Sequence, residues 1–299
     1  MAFIRVSLKT SRMLPCAGGR AIAMEVRGQF ERWLLGLVLL VLSMVATAET
    51  VTLEMGSGVP ATAEFRNADG SGDPVLILHG FLQTRDFPTV RRLAEFLADE
   101  DHPVLTPTLS LGVPKRSQSL KCEAIHTHDL DQDVDELARW VDWLYQRMQK
   151  PVVLIGHSAG GHAITRYLAR YPASRMKRVI LISIAPPAGR TPAAGEPQGK
   201  GELADYALAY CRRYPTTRGA FHSYADWGAK QMIDAMAKAA VPVSVVIGGA
   251  DERLEPDWRA LLQKAGVTLL EVPGAGHFFD DEHEFELYDN IDTLLGGDA

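Results

Sequence analysis

The sequence predicts an α/β domain with a mostly parallel, doubly wound sheet. Short continuous apolar runs, such as Val75–Leu78 and Val152–Ile155, are typical of strands buried on both faces. They alternate with longer segments of helical periodicity, such as Asp129–Gln149. This alternation favours parallel strands joined by crossover helices. The composition of the 299 residues, 46% hydrophobic and 23% charged, excludes wholesale disorder and a polytopic membrane protein.

The first elements form a hairpin and one strand–helix–strand unit. Two alternating runs, Val51–Met55 and Ala61–Arg66, are separated by glycines and a proline, which predicts a hairpin. A loop rich in glycine and aspartate then leads to the buried strand Val75–Leu78. Apolar residues at helical spacing predict a helix over Thr89–Asp99, and a short strand follows at Pro103–Thr106.

The middle of the chain begins with a long irregular segment. Leu109–His128, 20 residues, has no periodic pattern and predicts a loop, and loops of this length in compact domains are usually functional. Acidic residues crowd the first turn of the amphipathic helix Asp129–Gln149, with Asp129 as its cap. A second helix, Ala159–Arg170, ends before Pro172, and Val179–Ile184 is a buried strand.

Ala185–Ala240 interrupts the alternation. Its many prolines and glycines, followed by aromatic and polar residues, predict a mobile loop and then short cap helices. Six of its aromatic residues are candidates for a substrate wall or for the core of the cap itself: Tyr206, Tyr210, Tyr214, Phe221, Tyr224 and Trp227. Strands at Val243–Ile247 and Val267–Val272 and helices at Pro256–Ala265 and Phe285–Leu295 complete the domain.

An uncharged apolar run, Trp33–Ala46, precedes the domain. Its 14 residues are fewer than the roughly 20 that span a membrane. Basic residues come before it and Ala46-Thr47-Ala48 follows, which is typical of a secretory signal peptide cleaved after Ala48. We therefore expect residues 1–48 to be removed and the protein to be secreted, most simply to a periplasm, with Met24 as an alternative true start. An uncleaved anchor is the alternative, whereas a lipoprotein is disfavoured because Cys16 precedes the apolar run.

The net charge limits the classes of binding partner that are expected. Residues 1–48 hold six basic and two acidic residues, so the chain from Glu49 carries a net charge of −10, against −6 for the whole sequence. Neither nucleic acid nor stable membrane insertion is expected of such a surface, and a small molecule is the expected partner. The oligomeric state stays open.

Cys122 and Cys211 are an even pair suited to an oxidising compartment, so a disulfide between them is expected, with two free thiols as the alternative.

The strongest motif is Gly156-His157-Ser158-Ala159-Gly160, of the form G-x-S-x-G. It lies between a predicted strand and a predicted helix, where this motif forms a sharp turn that exposes the serine hydroxyl. Gly156 and Gly160 are needed because side chains there would meet the neighbouring strand and helix. Ser158 is therefore the candidate nucleophile, and a plain helix cap is the alternative role.

A serine nucleophile needs a base and a group that orients the base. His277 lies in a loop of small residues after the predicted strand Val267–Val272, and Asp251 follows the strand Val243–Ile247. Because parallel strands end at one edge of the sheet, we expect both to reach Ser158. The rival candidates are Asp226, Asp280 and Asp281 for the acid and His283 for the base.

The negative oxygen formed by attack on a carbonyl needs two N–H donors. Ala159 directly follows the nucleophile, and Phe81 lies in the loop after the strand Val75–Leu78, so their backbone N–H groups are the candidates. His79, Gly80 and His157 are expected to shape the loop and the strand ends.

A metal site at His126-Thr127-His128 is disfavoured because no further ligand is near in sequence, so no metal is expected.

These residues together resemble the α/β-hydrolase superfamily. The resemblance rests on His79-Gly80, on the turn Gly156–Gly161, on Asp251 after a Gly-Gly pair and on Gly276-His277, in the order Ser, Asp, His. It extends from about Val51 to Leu295 and implies an eight-stranded sheet, a cap inserted after the sixth strand at about 185–240, and acyl transfer without a cofactor. The Gly-His-Ser turn is similar to that of esterases and lipases, while His79-Gly80-Phe81 lacks the glycine run of the hormone-sensitive-lipase-like branch.

The residues and the resemblance predict a secreted serine hydrolase that cleaves carboxylic esters through an acyl-enzyme intermediate. A lipase, a thioesterase or an amidase is an alternative that the sequence does not separate from an esterase. A non-catalytic binding protein on the same fold is the alternative of another class, and the presence of Ser158, Asp251 and His277 together argues against it.

Overall fold

A computed structural model describes residues 48–56, 58–171, 175–199 and 201–296. The predicted signal peptide lies, except for Ala48, outside the described residues. No helix within these ranges has the length and apolarity needed to cross a membrane.

The elements, in chain order, have these bounds. The first nine are β1 Glu49–Glu54, β2 Pro60–Arg66, β3 Val75–Leu78, α1 Pro88–Asp99, β4 Val104–Thr108, α2 Leu130–Met148, β5 Val152–His157, α3 Gly160–Arg170 and β6 Met176–Ile182. The remaining nine are β7 Gly189–Arg190, β8 Leu203–Leu208, β9 Cys211–Thr217, α4 Arg218–Ala225, α5 Ala229–Ala237, β10 Val243–Gly248, α6 Pro256–Lys264, β11 Thr268–Val272 and α7 His283–Gly296. The predicted strands of the main sheet, and the predicted helices that flank it, are confirmed to within a few residues.

Eight strands form one sheet in the order β1-β2-β4-β3-β5-β6-β10-β11. β2 runs antiparallel to its neighbours β1 and β4, and the other pairings are parallel. The strand order reverses at β3, which lies between β4 and β5. Ligands bind at such reversal points, beyond the carboxyl ends of the strands. The loops that follow β3 and β5 are therefore well placed to build a site.

The sheet separates two apolar layers because neighbouring residues of a strand point to opposite faces. Leu76 and Leu78 of β3 face the layer that holds α2, α3 and α6, whereas Val75 and Ile77 face the layer that holds α1 and α7. All four side chains are fully buried. This burial on both faces explains the continuous apolar runs in the sequence.

The segment between β6 and β10 corrects one prediction. Instead of a loop followed by helices, it begins with an antiparallel three-stranded sheet, β7-β8-β9, and α4 and α5 come after it. The hairpin turn joins Leu208 to Cys211 through Ala209 and Tyr210, and Ala209 has a φ of 53°. Glycine and asparagine normally occupy such left-handed turn positions, so the sequence lacks the usual hairpin signal. We call residues 185–240 the cap.

A disulfide ties the cap to the long irregular loop. Cys122 in that loop is bonded to Cys211 at the start of β9, 89 residues further along the chain. A backbone hydrogen bond of 2.9 Å from the His126 N–H to the Pro215 carbonyl also joins this loop to β9. The loop 109–128 and the hairpin β8–β9 thus form one connected structure.

Replacing both cysteines by alanine should lower the free energy of unfolding by about 2–5 kcal/mol, because the open chain gains conformational entropy when it unfolds. Urea unfolding monitored by tryptophan fluorescence measures this difference. A reducing agent should bring the wild-type protein to the stability of the double variant and leave the variant unchanged. Equal stabilities of oxidised wild type and variant would contradict the prediction.

Candidate active site

Ser158 lies at the tip of the sharp turn between β5 and α3. Its φ of 53° is in the left-handed region, which non-glycine residues seldom adopt. The turn is held by hydrogen bonds of 2.8 Å from the Ser158 N–H to the Ile182 carbonyl and of 2.9 Å from the Gly161 N–H to the Ser158 carbonyl. A strained residue held in place by its surroundings is typical of a functional site.

The two outer glycines of the motif allow this turn to pack. A Cβ atom on Gly160 would lie 2.8 Å from the carbonyl oxygens of Leu78 and His79. A Cβ atom on Gly156 would lie 2.9 Å from the backbone of Gly160 and Gly161. Both distances are shorter than van der Waals contact. The N-terminus of α3 therefore packs directly against the end of β3.

The structure brings Ser158, His277 and Asp251 together. His277 Nε2 lies 3.0 Å from Ser158 Oγ, and His277 Nδ1 lies 2.7 Å from Asp251 Oδ2. Asp251 and His277 are buried, while Ser158 is half-buried and faces a cavity. Burial opposes ionisation of Asp251, but hydrogen bonds from His277 and from the Arg253 backbone N–H keep the pKa of this carboxyl below its ordinary value. Asp251 is thus a buried carboxylate that can stabilise a protonated His277.

Two further side chains fix the backbone of His277. Its carbonyl oxygen accepts hydrogen bonds from His157 Nε2 at 3.2 Å and from the hydroxyl of Ser183 at 2.9 Å. Ser183 directly follows β6 and is fully buried. Sequence reasoning missed Ser183 because the predicted strand Val179–Ile184 contains it, whereas β6 ends at Ile182.

The loop after β3 approaches the nucleophile from the other side. A Cβ atom on Gly80 would lie 3.4 Å from that of Ser158. Among the described residues, the backbone N–H groups of Phe81 and Ala159 have no hydrogen-bond partner, and both residues line the same cavity as Ser158. The two N–H groups are therefore free to receive a negatively charged oxygen.

Buried Arg116, which sequence reasoning also missed, clamps this loop. Its guanidinium donates to the carbonyls of Leu109 at 2.9 Å and Leu82 at 3.3 Å, and lies 3.3 Å from His79 Nε2. The Nδ1–H of His79 in turn donates to the Gly80 carbonyl at 2.9 Å. His79 thus contacts the loop backbone and does not line the cavity.

The cavity at Ser158 has a volume of about 550 Å³, within the usual range for small-molecule sites. Its walls are mostly apolar and include Phe81, residues 185–188 and Phe278. Tyr210 at the cap turn also lines it and donates its hydroxyl to the Phe81 carbonyl at 3.1 Å. The other five aromatic candidates are buried, and Tyr206 stacks on Phe221 at 4.3 Å, which fits the alternative of a core role. A substrate wall stays a prediction for Tyr210, which lines the cavity.

The rival candidates lie elsewhere. Asp226, Asp280 and Asp281 are exposed, and the Nδ1 of His283 pairs with Glu286 at 2.8 Å. His126 stacks on Tyr214, and its Nε2 lies within hydrogen-bond distance of loop carbonyls. Within the described ranges, no group of three or more His, Cys, Asp or Glu side chains is placed to hold a metal ion.

The fold and these residues match a known family. The model of the alpha/beta hydrolase family matches residues 75–289. The chain belongs to the alpha/beta hydrolase family. Among solved members with this fold, Est1E from Butyrivibrio proteoclasticus with bound ferulic acid has a TM-score of 0.64 at 17% identity, over 82% of this chain and 97% of that chain. The thioesterase domain from the curacin biosynthetic pathway has a TM-score of 0.58 at 18% identity, over 83% and 100%.

Curated relatives match over shorter stretches. A non-heme haloperoxidase from Rhodococcus erythropolis is 31% identical over 118 residues, which is 40% of this chain and 39% of the relative. A bifunctional esterase/perhydrolase from Acinetobacter calcoaceticus is 38% identical over 60 residues, 20% of this chain and 21% of the relative. The matches therefore span well under half of each relative. Together with the family model, they indicate a hydrolase with esterase-like neighbours.

Three buried histidines should make the alpha/beta hydrolase domain sensitive to acid. Burial lowers the pKa of His79, His128 and His157 to about 3. The unfolded chain, with ordinary values of about 6.5, binds more protons below that pH, so the stability present above pH 6.5 is lost as the pH falls toward 3.

Between pH 7 and 5, a His128→Asn variant should therefore lose about 2 kcal/mol less stability than the wild type, because one of these histidines no longer titrates. Urea unfolding at the two pH values measures the difference. Between pH 7.5 and 8.5, where the imidazoles are neutral in both states, the two proteins should change in parallel. Identical pH dependence from pH 7 to 5 would contradict the prediction.

Proposed function

We propose that this alpha/beta hydrolase cleaves carboxylic esters, with Ser158 as nucleophile, His277 as general base and Asp251 as the group that orients His277. One observation carries the proposal. The hydrogen-bonded chain from Asp251 through His277 to Ser158, with links of 2.7 and 3.0 Å, ends at a mostly apolar cavity. Such an arrangement activates a serine hydroxyl for attack on an acyl group.

The reaction proceeds in two halves. His277 Nε2 accepts the proton of Ser158 as Oγ attacks the carbonyl carbon, and the N–H groups of Phe81 and Ala159 stabilise the negative oxygen. His277 then donates the proton to the alcohol oxygen as the ester bond breaks, which leaves the acyl group on Ser158. A water molecule, deprotonated by His277, attacks this acyl-enzyme, and the proton returns to Ser158 Oγ as the carboxylic acid is released.

An ester is favoured as the substrate because one curated relative is named a bifunctional esterase/perhydrolase. The cavity of about 550 Å³ suits a small acyl compound. A lipase, thioesterase or amidase would use the same three side chains. A binding protein without activity would have no need of a strained serine or of unpaired N–H groups beside it.

We also propose that the protein is secreted after cleavage behind Ala48. The disulfide between Cys122 and Cys211 supports this proposal, because structural disulfides persist in oxidising compartments and are rare in a reducing cytosol. The uncharged run before Ala48 supports it as well.

Ser158→Ala should lower kcat for p-nitrophenyl esters by about 10⁴-fold or more, because no other nucleophile replaces the hydroxyl. A fluorophosphonate probe should label the wild type on the peptide that contains residue 158 and should not label the variant. Ser119→Ala, in an exposed part of the loop 109–128, serves as the matched control and should keep full activity. A panel of ester, thioester and amide substrates with one acyl group then ranks the three chemistries. Turnover or labelling that persists in a folded Ser158→Ala protein would refute the assignment.

Expression of the full chain in a bacterium with a periplasm should yield a soluble periplasmic protein whose N-terminal residue is Glu49. Edman sequencing and intact mass measure the cleavage point. Ala48→Leu, which removes a small residue from the cleavage site, should slow processing and leave a longer membrane-bound form. A full-length cytoplasmic product would contradict the proposed secretion.

A further inference from the structure

One wall of the cavity carries a cationic side chain close to Asp251 and His277. Arg253 lies two residues after Asp251, and its backbone N–H donates to Asp251 Oδ1 at 3.0 Å. Its guanidinium carbon lies 5.0 Å from the ring centroid of Phe278, the residue after His277. Both Arg253 and Phe278 line the cavity. The backbone hydrogen bond and the stacking on the ring hold the guanidinium at the His277 side of the cavity.

No carboxylate in the described ranges lies within 4.0 Å of the Arg253 guanidinium. Other arginines do have such partners, for example half-buried Arg259 with Glu271 and exposed Arg213 with Asp205. The whole sequence carries a net charge of −6, so carboxylates are more numerous than cations. An arginine that lines the cavity without a carboxylate partner is therefore available to a ligand.

An adjoining cavity also carries arginines. A second cavity of about 240 Å³ adjoins the first, since both are lined by Ala188, Ala209 and Tyr210. Arg190 and Arg212 line this second cavity, are exposed, and have no carboxylate within 4.0 Å among the described residues. Three arginines thus line these two adjoining cavities in an acidic protein. Such an arrangement attracts anionic ligands to the site.

The position of Arg253 indicates which part of a substrate it meets. In the proposed reaction His277 delivers a proton to the alcohol oxygen, so the alcohol portion of an ester lies on the His277 side of the cavity. The Arg253 guanidinium rests on Phe278, which directly follows His277.

We infer that the preferred substrates are esters whose alcohol portion carries an anionic group, such as a carboxylate, and that Arg253 is the residue that selects them. This inference rests on the proposed ester hydrolysis and adds the substrate class. The guanidinium would form charge-assisted hydrogen bonds with the anionic group and so lower KM for charged esters.

Two aryl acetates test the inference, because they share one acyl group and differ in a single substituent. These are 4-acetoxybenzoate, which is anionic, and 4-acetoxybenzamide, which is neutral and of nearly equal size. The measured quantity is the ratio of their kcat/KM values. Arg253→Met should lower this ratio about tenfold, mainly through KM for the anionic ester, as expected for one charge-assisted contact at a partly exposed site. Added salt should lower the wild-type ratio.

Two further variants serve as controls. Glu255 also lines the cavity, is exposed, and carries the opposite charge. Glu255→Gln should therefore raise the ratio by about two- to threefold, because a repulsive charge is removed. Arg259→Met removes a half-buried arginine that is paired with Glu271 and does not line the cavity, and it should leave the ratio unchanged.

Binding to the Ser158→Ala protein, measured by isothermal titration calorimetry, separates this inference from the proposed function. The anionic ester should bind more tightly than the neutral one, and Arg253→Met in the same background should remove the difference. Equal ratios and equal affinities with and without Arg253 would overturn the inference while Ser158-dependent hydrolysis still stood. An equal loss for both esters would also overturn it, because Arg253 would then only support the loop. A binding preference without hydrolysis would instead refute the proposed function.

Discussion

The close packing of α3 against the end of β3 is the constraint on which the site depends. No side chain separates Gly160 from the carbonyls of Leu78 and His79, so the helix begins directly above the sheet. In the turn that precedes this contact, Ser158 has a left-handed conformation and Ala159 lines the same cavity as Phe81. The strain is offset by burial of the strands on both sides of the turn.

The remaining groups of the site are held by hydrogen bonds between loops that follow different strands. Ser183, after β6, and His157, at the end of β5, both donate to the backbone carbonyl of His277. Arg116 joins the loop after β3 to the loop 109–128. Tyr210 joins the cap to Phe81. Each loop is therefore fixed by a partner that is distant in sequence, and the rigid sheet edge sets their spacing.

Much of this arrangement could be predicted from the sequence, for identifiable reasons. The strands of the sheet are buried on both faces and leave continuous apolar runs, and the order of Ser158, Asp251 and His277 places each after such a run. The hairpin β8–β9 escaped prediction because its turn uses Ala209 and Tyr210, which carry no turn signal, and is stabilised by tertiary contacts. Arg116 and Ser183 escaped because their roles arise from long-range backbone contacts that no local pattern encodes.

The disulfide between Cys122 and Cys211 also places Ser158 and the pair Asp251 and His277 in different parts of the covalent structure. The polypeptide between these residues forms a covalently closed ring that includes β5, α3 and β6, and Ser158 lies within it. Asp251 and His277 lie on the segment beyond the ring, which the backbone joins to the ring at Cys211 and which otherwise contacts the ring only non-covalently. Partial detachment of β10, β11 and α7 would therefore withdraw the acid–base pair and leave the nucleophile in its fold, so inactivation can precede global unfolding.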